Sequence, residues 1–266
     1  MNILHTIEQW IDAYFSYLPR HRPHTKNIIN ARLVAHRGAH DTALSLQENT
    51  HAAFAQAFAL GCHGIEFDVH ATADDVVVVN HDPTLKRLWG YDVAISSLSF
   101  KELHALVPSL PSLADVVTHY GKRMHLFIEL KAPFTATRAL VDTLKGLTPC
   151  VDYHLLCLDE RELSTLTSFP QESLLLVPVH HNVSAFCKVS LQQGYGGILG
   201  HYLLLSNRQI KRLREANQHV GVGFVDSRFS LYRELNRGIN LLFTNQAAMV
   251  ASYLNELRRA VDTSLG

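Results

Sequence analysis

Three carboxylates lie in two short motifs, EFD at residues 66–68 and ELK at residues 129–131, each inside an apolar segment. Side chains alternate faces along a β-strand, so the first and third residues of each motif point the same way, about 7 Å apart. Isolated buried carboxylates are costly, and a divalent cation bound between them removes that cost. Oxygen-only ligands are typical of Mg²⁺, Mn²⁺ or Ca²⁺ rather than zinc. If the shared face is a barrel interior, Glu66, Asp68 and Glu129 form a metal site.

Two cations near these acids leave a second interpretation open. Arg37 and Lys131 could pair with the carboxylates in a purely structural ion network, which some barrels contain. Alternatively, the planar guanidinium of Arg37 and the point charge of Lys131 bind a phosphate group together with the metal. Adjacent strand residues face opposite ways, so His36 and Arg37 reach one site only if the chain turns there. Gly38 favours such a turn.

Histidine is over-represented, with 17 residues, which permits acid–base or metal chemistry. His36 and His81 are the candidate acid and base, because each follows a short apolar run where a strand is expected to end. A lone histidine in such a place is more often structural. Two of them near a carboxylate cluster and two cations make catalysis an equal alternative.

The elements that position these residues alternate along the chain. Segments with helical periodicity separate eight apolar runs, and Gly61, Gly146, Gly194 and Gly238 fall where helices would end. This rhythm predicts an α/β fold, a closed (β/α)₈ TIM barrel. In such barrels the catalytic groups lie at the C-terminal ends of the strands, as the residues above do. The predicted strands are residues 33–38, 64–71, 125–131, 153–159, 173–179, 196–202, 219–226 and 239–245.

Two segments depart from the barrel rhythm, although residues 1–266 are expected to form a single domain. Residues 3–18 have helical spacing within an N-terminal extension, residues 1–30, which contains Trp10, Tyr14 and a basic, His-rich stretch from Arg20 to Lys26. This helix either covers the bottom of the barrel or contacts a membrane surface. Residues 72–124 form a long excursion after the second strand, where an insertion at the active-site face would shape the substrate pocket.

The overall composition excludes several classes of partner. Lys+Arg and Asp+Glu balance at 24 each, so no nucleic-acid partner is expected and anion binding must be local. Cys62, Cys150, Cys157 and Cys187 have no CxxC spacing and are expected to be reduced. No apolar run is long enough to span a bilayer, and acidic residues interrupt the first apolar stretch, unlike a signal peptide. A cytoplasmic protein is therefore expected.

The motifs taken together resemble a known family. VAHRG, then QENTHAAFAQAFALGCHGIEFDVHATADDVVVVNHD, then FIELK follow one another across residues 33–131. This order is similar to the signature of glycerophosphodiester phosphodiesterases. They share their barrel with bacterial phosphatidylinositol-specific phospholipase C and spider-venom sphingomyelinase D. The resemblance implies hydrolysis of glycerophosphodiesters to glycerol 3-phosphate and an alcohol, with a cyclic phosphate as the intermediate.

The resemblance also assigns roles to individual residues. It implies that Glu66, Asp68 and Glu129 bind one divalent cation, Mg²⁺ or Ca²⁺ with Mn²⁺ as a further candidate. His36 and His81 would be the general base and the general acid. Arg37 and Lys131 would bind and polarise the phosphate, and Glu48 and Asn49 would support the first loop.

The second half of the chain follows the family pattern less closely. Members often have a Trp-Thr pair on the seventh strand, where the corresponding stretch here reads Gly223-Phe224-Val225-Asp226. Residues 244–245 read Thr-Asn rather than Thr-Asp, and Gln47 replaces the usual proline. The pocket wall, and with it the substrate, is therefore open. His180, His181 and His201 could line that pocket, although solvated loop positions are favoured for them.

Three functions are consistent with these residues. The first is hydrolysis of a small-molecule glycerophosphodiester such as glycerophosphocholine. The second is a lysophospholipase D-like activity on lysophospholipid at a membrane surface, which the N-terminal helix and Leu88, Trp89 and Tyr91 suggest. The third is a catalytically weak binding protein on the same barrel. The third is disfavoured because buried polar groups are costly to keep without chemistry to perform.

Overall fold

The computed structural model describes residues 3–16 and 21–265, in which eight of nine strands close into a parallel barrel. Closure is complete because the first strand hydrogen-bonds both to the second and to the last. The predicted (β/α)₈ fold is confirmed, with every barrel strand within a few residues of its predicted segment. The strands are β1 (Arg32–His36), β2 (Gly64–Ala71), β3 (Val77–Val79), β4 (His125–Leu130), β5 (Tyr153–Cys157), β6 (Leu174–Leu176), β7 (Gly197–His201), β8 (His219–Gly223) and β9 (Leu241–Thr244), and all but β3 belong to the barrel.

Helices cover the outside of the barrel, and the segments predicted as helical are helical. Capping boxes begin several of them: the Ser112 hydroxyl accepts from the third residue of its helix, whose carboxylate accepts from the Ser112 backbone N–H. The helices are α1 (Ile3–Ser16), α2 (Thr25–Ile29), α3 (His51–Ala59), α4 (Lys86–Trp89), α5 (Phe100–Leu106), α6 (Leu113–Tyr120), α7 (Thr137–Leu144), α8 (Glu160–Ser164), α9 (Val183–Gln193), α10 (Asn207–Glu215), α11 (Arg228–Asn236) and α12 (Ala247–Leu265).

Apolar side chains fill both faces of the barrel wall. The larger cluster lies between the strands and the surrounding helices, and a smaller one lies inside the barrel. Because strand side chains alternate, a strand buried on both faces reads as a nearly continuous apolar run, as β4 and β5 do. The inner cluster consists of Val34, Phe127, Leu156, Leu175, Leu199, Leu241 and Phe243. It supports the polar residues at the C-terminal end.

The excursion after β2 contains its own small core. Strand β3 runs antiparallel to the end of β2, with Val69 opposite Val79, and this pairing places His81 just beyond the strand. Trp89 of α4 and Leu103 of α5 pack with Val78 and Leu85 in this core. Helix α6 contacts β3 and α7 and takes the place of the barrel helix between β2 and β4. The predicted insertion at residues 72–124 thus includes one regular barrel helix.

The N-terminal helix α1 packs against α11, where the rings of Phe15 and Phe229 stack at 4.4 Å. The expectation that it covers the bottom of the barrel is therefore wrong, because α11 belongs to the outer ring of helices. The end of the predicted segment, residues 17–18, lies outside the described residues. Trp10 and Tyr14 are 74% and 67% exposed. Among the described residues, no helix combines the length and apolar character needed to cross a membrane.

The four cysteines agree with the expectation of reduced residues. All four are free thiols. Cys62, Cys157 and Cys187 are buried, and burial raises the pKa of Cys62 to about 12. A thiol with a raised pKa carries little thiolate near neutral pH and is a poor nucleophile. The cysteines are packing residues rather than candidates for catalysis.

Candidate active site

Three buried carboxylates converge at the C-terminal end of the barrel. Glu66 and Asp68 lie on β2 and Glu129 lies on β4, and the parallel register places Asp68 beside Glu129. One oxygen from each side chain lies within 4.8 Å of the other two. All three residues are buried, with 1–7% of their surface exposed. The structure therefore brings together the three predicted metal ligands.

Two cations share these acids. Lys131 Nζ lies 2.7 Å from Asp68 Oδ1 and also pairs with Glu129, and Arg37 Nε lies 3.3 Å from Asp68 Oδ2. The ion network considered above is present, but two cations face three carboxylates. Glu66 Oε1 is buried and has no hydrogen-bond partner among the described residues. A partnerless buried oxygen in an oxygen-only donor set fits a hard divalent cation.

The pKa values of the carboxylates differ because their partners differ. Burial, together with repulsion from Asp68 and Glu129, raises the pKa of Glu66 well above its usual range. Burial also raises the pKa of Glu129. Burial acts the same way on Asp68, but Lys131 and Arg37 overcome it and lower the pKa of that carboxyl to about 2. In the absence of a metal, a proton on Glu66 relieves the excess negative charge, and a bound cation would displace that proton.

A sharp turn after β1 brings two consecutive residues to the same site. Arg37 and Gly38 both have positive φ, 55° and 78°. The turn at Gly38 also lies against helix α3, where a Cβ atom would be 2.8 Å from Ala53 Cβ. Glycine is required there by conformation and by space. The predicted turn is confirmed: the Arg37 side chain reaches Asp68, and its backbone N–H donates to Glu66 Oε2 at 3.1 Å.

Asn49 fixes the orientation of one of the acids. Its Nδ2 donates to Asp68 Oδ2 at 2.9 Å, and its backbone N–H donates to the Arg37 carbonyl at 2.9 Å. The residue is buried and has a φ of 57°, a conformation that asparagine tolerates better than most residues. Asn49 therefore connects the turn after β1 to the carboxylate cluster.

His36 is held in one tautomer by residues from the last two barrel strands. Asn245 Nδ2 donates to Asp226 Oδ2 at 3.0 Å, so the amide oxygen of Asn245 faces His36 Nδ1, 2.6 Å away. The Asp226 carboxylate can only accept, so it fixes the Asn245 amide with its nitrogen toward Asp226 and its oxygen toward His36. That amide oxygen can also only accept, so the imidazole proton resides on His36 Nδ1. His36 Nε2 then presents its lone pair on the side of Glu66 Oε2, 3.6 Å away. Burial lowers the pKa of His36 to about 3, which keeps the ring neutral.

A chain of charges links the first loop to His81. Glu48 Oε1 accepts from Arg37 Nη1 at 3.0 Å and from Arg87 Nη2 at 2.7 Å. Arg87 also pairs with Asp82, and Asp82 Oδ1 accepts from His81 Nδ1 at 2.7 Å. Burial lowers the pKa of His81, while attraction to Asp68 and the bond to Asp82 oppose that shift. The two candidate acid–base histidines thus differ: His36 has a neutral amide partner and His81 has a carboxylate.

A cavity of about 200 Å³ opens beside this cluster and is mostly apolar on its far side. Its polar edge consists of His36, Glu66 and Glu129. The ring of Phe224 lies 4.3 Å from the ring of His36, so an aromatic side chain packs against the candidate base. The remaining lining residues are Leu156, Val177, Pro178, Val179, His180, Leu199, Gly200, His201, Gly223 and Phe243. His180 and His201 line this cavity rather than facing only solvent, and His181 does not belong to the lining.

Four residues of the site were not identified from the sequence: Asp82, Arg87, Asp226 and Asn245. Asp82 follows His81 directly, and that adjacency was a usable signal. Asp226 lies at the end of the predicted strand 219–226, and Asn245 lies in the Thr-Asn pair that departs from the family pattern. The contact of Asn245 with His36 joins residues 209 positions apart in the chain. Periodicity describes local structure, so such a contact follows only from the closed barrel.

Residues 36–145 match the model of the Glycerophosphoryl diester phosphodiesterase family. Lysophospholipase D GDPD1 of Homo sapiens is 46% identical over 70 residues, which are 26% of this chain and 21% of that relative. Glycerophosphodiester phosphodiesterase 1 of Mus musculus is 33% identical over 137 residues, 44% of this chain and 40% of the relative. The matched segments thus span less than half of these relatives.

Solved structures resemble the chain over most of its length. A glycerophosphodiester phosphodiesterase from Thermotoga maritima has a TM-score of 0.73 at 22% identity, covering 84% of this chain and 98% of its own. A phosphodiesterase from Oleispira antarctica, in complex with the product sn-glycerol-3-phosphate, has a TM-score of 0.70 at 20% identity. It covers 91% of this chain and 98% of its own. At these identities the likeness establishes the shared barrel fold.

Proposed function

We propose a function from the premise that this chain belongs, through residues 36–145, to the glycerophosphoryl diester phosphodiesterase family. The proposed reaction is metal-dependent hydrolysis of a glycerophosphodiester to glycerol 3-phosphate and an alcohol. One observation carries the proposal: three buried carboxylates, two cations and a tautomer-fixed histidine meet beside one cavity. Such a set can bind a metal and a phosphate and can move a proton.

The phosphate would be held by positive charge on one side of the cavity. Glu66, Asp68 and Glu129 would hold one divalent cation, Mg²⁺ or Ca²⁺, with Mn²⁺ as a further candidate. When bound, that cation supplies Lewis-acid stabilisation and a template for the phosphate. Arg37 offers a planar pair of donors and Lys131 offers a compact charge, and both lie at the carboxylates. Together they would neutralise the negative charge that develops on the phosphate oxygens.

His36 is proposed as the general base. Its Nδ1 proton is engaged by Asn245, so Nε2 is free to take a proton from a substrate hydroxyl. That hydroxyl belongs to the glycerol and attacks the phosphorus, forming one P–O bond of a cyclic phosphate. His81 is proposed as the general acid that gives a proton to the departing alcohol as the other P–O bond breaks. Water then opens the cyclic phosphate, with the two histidines exchanging roles.

Product identity tests this proposal directly. Purified chain is incubated with glycerophosphocholine and a divalent cation, and the phosphorus-containing products are followed by ³¹P NMR. Glycerol 3-phosphate with free choline supports the proposed bond cleavage. Phosphocholine with free glycerol would overturn it. A transient cyclic glycerol phosphate that appears before glycerol 3-phosphate in the wild-type reaction would support the two-step route.

A lysophospholipid substrate at a membrane surface is the second candidate. The apolar side of the cavity, which includes Leu156, Leu199 and Phe224, favours a substrate with hydrocarbon character. Exposed Trp10 and Tyr14 on α1 are typical of interfacial helices. Release of lysophosphatidic acid from lysophosphatidylcholine would support this candidate. If the wild type floats with liposomes and the double variant Trp10→Ser/Tyr14→Ser does not, the membrane contact through α1 is supported. Equal flotation of the wild type and the double variant would exclude α1 as the source of that contact.

A further inference from the structure

A second histidine cluster lies at the N-terminal end of the barrel, away from the catalytic cavity. His125, His154 and His219 are the first or second residues of strands β4, β5 and β8. His125 and His154 are two residues before Phe127 and Leu156, which lie inside the barrel, so their side chains share that face. We call these three residues the histidine layer.

The rings of the histidine layer are in direct contact. His125 Nε2 and His154 Nδ1 are 2.7 Å apart, and the ring of His219 meets the ring of His154 edge-on at 5.1 Å. Phe127 stacks on His154 with an angle of 8° between the rings and so closes the layer from above. A TIM barrel is usually filled here by branched apolar residues. Imidazole is therefore an unusual filling, and the histidine excess of the sequence is partly located here.

The hydrogen bonds determine where the protons lie. His125 Nδ1 is 3.0 Å from the carbonyl of Val151, which can only accept, so this nitrogen carries a proton. In the neutral ring, His125 Nε2 is then an acceptor, and the proton between the rings belongs to His154 Nδ1. This leaves a lone pair on His154 Nε2, which is buried and receives no hydrogen bond from the described residues. Both rings are neutral in this arrangement.

An added proton has no favourable position. On His125 Nε2 it would face the N–H of His154, and on His154 Nε2 it would create a buried donor without an acceptor. The charged groups facing the layer also oppose it. The guanidinium of Arg32 on β1 repels an added proton, and the ring of His63, before β2, stacks on His125 at 5.6 Å and supplies no negative charge.

The nearby carboxylate does not offset this positive charge. Asp152, next to β5, already pairs with Lys122 and accepts from the Thr148 backbone N–H. Burial lowers the pKa of His154 to about 2 and that of His125 to about 4, with repulsion between the histidines and from Arg32 adding to the shift. His219 lies at the exposed start of β8, and partial desolvation lowers its pKa as well.

We propose that the histidine layer is an acid-sensitive element of the barrel, which stabilises the folded state when its rings are neutral and destabilises that state when they are protonated. The direction of the pH effect follows from the linkage between protonation and folding. A histidine whose folded pKa is depressed contributes stability above its unfolded pKa of about 6.5, and this stability is lost as the pH falls toward the folded value. Below about pH 6.5 unfolding takes up about one proton for each of His125 and His154. Together they raise the unfolding equilibrium constant by up to about 100-fold per pH unit.

The test is urea unfolding of the full chain at pH 7, 6 and 5, comparing the wild type with His154→Asn. Asparagine keeps a donor near the Nδ1 position and cannot take up a proton. As the pH falls from 6 to 5, we expect the unfolding constant of the wild type to rise by up to about 100-fold and that of His154→Asn by only about tenfold. The control His104→Gln removes an exposed histidine on α5 and should keep the wild-type slope. An unchanged slope in His154→Asn would overturn the proposal.

A second measurement applies if His154→Asn does not fold. The ring ¹⁵N shifts of the wild type report protonation and tautomer for each histidine. Two rings that stay neutral, with the proton on Nδ1, from pH 7 to pH 5 support the proposal. If instead no buried ring stays neutral and every histidine titrates near pH 6.5, the proposal is wrong. Neither measurement depends on catalytic turnover, so failure of the proposed reaction leaves both interpretable.

Discussion

The contact between Asn245 and His36 gives a prediction that can be worked from its geometry. The substitution Asn245→Ala removes the amide oxygen that lies 2.6 Å from His36 Nδ1. Asp226 keeps its bonds to the Thr244 hydroxyl and to the backbone N–H of residue 245, so the strand end itself stays in place. The imidazole loses the partner that fixes its tautomer, and the alternative tautomer directs an N–H rather than a lone pair toward the substrate.

The expected loss in turnover is moderate. A neutral hydrogen bond of this kind contributes about 1 to 1.5 kcal/mol, which corresponds to a fall in kcat of about fivefold to tenfold. KM should change little, because Asn245 orients the proposed base and does not lie among the residues lining the cavity. The assay is steady-state release of glycerol 3-phosphate from glycerophosphocholine at saturating metal.

A matched substitution separates positioning from general damage. Asn255→Ala removes an exposed asparagine on α12, and its kcat should equal that of the wild type. Equal kcat in wild type and Asn245→Ala would refute the assignment of Asn245 as a positioning residue for His36. A rise in KM with unchanged kcat would also refute it, because that pattern indicates lost substrate binding.

Further predictions concern the acid–base pair and the metal ligands. His36→Ala and His81→Ala should each lower kcat by at least about 100-fold with an unchanged circular dichroism spectrum, and wild-type rates in either would remove that residue from catalysis. Glu66→Gln and Asp68→Asn should raise the metal concentration required for half-maximal activity, and an unchanged titration would exclude the residue from the ligand set. Because burial raises the pKa of Glu66, a proton competes with the cation there. Metal affinity, measured by calorimetry, should therefore fall as the pH is lowered, by up to about tenfold per unit, and a flat profile would contradict a shared site.

The fold could be predicted because its signal is local and repeated. Eight apolar runs separated by amphipathic segments specify strands and helices one at a time, and few closed architectures accommodate eight such units. The position of α1 could not be predicted in the same way. Its contact with α11 depends on Phe15 meeting Phe229, and an amphipathic pattern does not identify the surface that covers it.

The site could be predicted in part for the same reason. Glu66, Asp68 and Glu129 lie in two strand motifs, and the alternation of side chains along a strand fixes the face to which each carboxylate points. Their convergence follows once the barrel is closed. The partner of His36 comes from the last barrel strand, and the histidine layer joins three separate strands. Those contacts depend on the stagger of neighbouring strands, which the pattern of apolar residues does not specify.

The proposed hydrolysis requires a metal held by Glu66, Asp68 and Glu129. The measurement is release of glycerol 3-phosphate from glycerophosphocholine by the wild type and by Glu129→Gln, first with EDTA and then with added Mg²⁺ or Ca²⁺. We expect no release with EDTA, recovery by a divalent cation in the wild type, and recovery only at higher cation concentration in Glu129→Gln. Undiminished release by the wild type in EDTA would contradict this expectation.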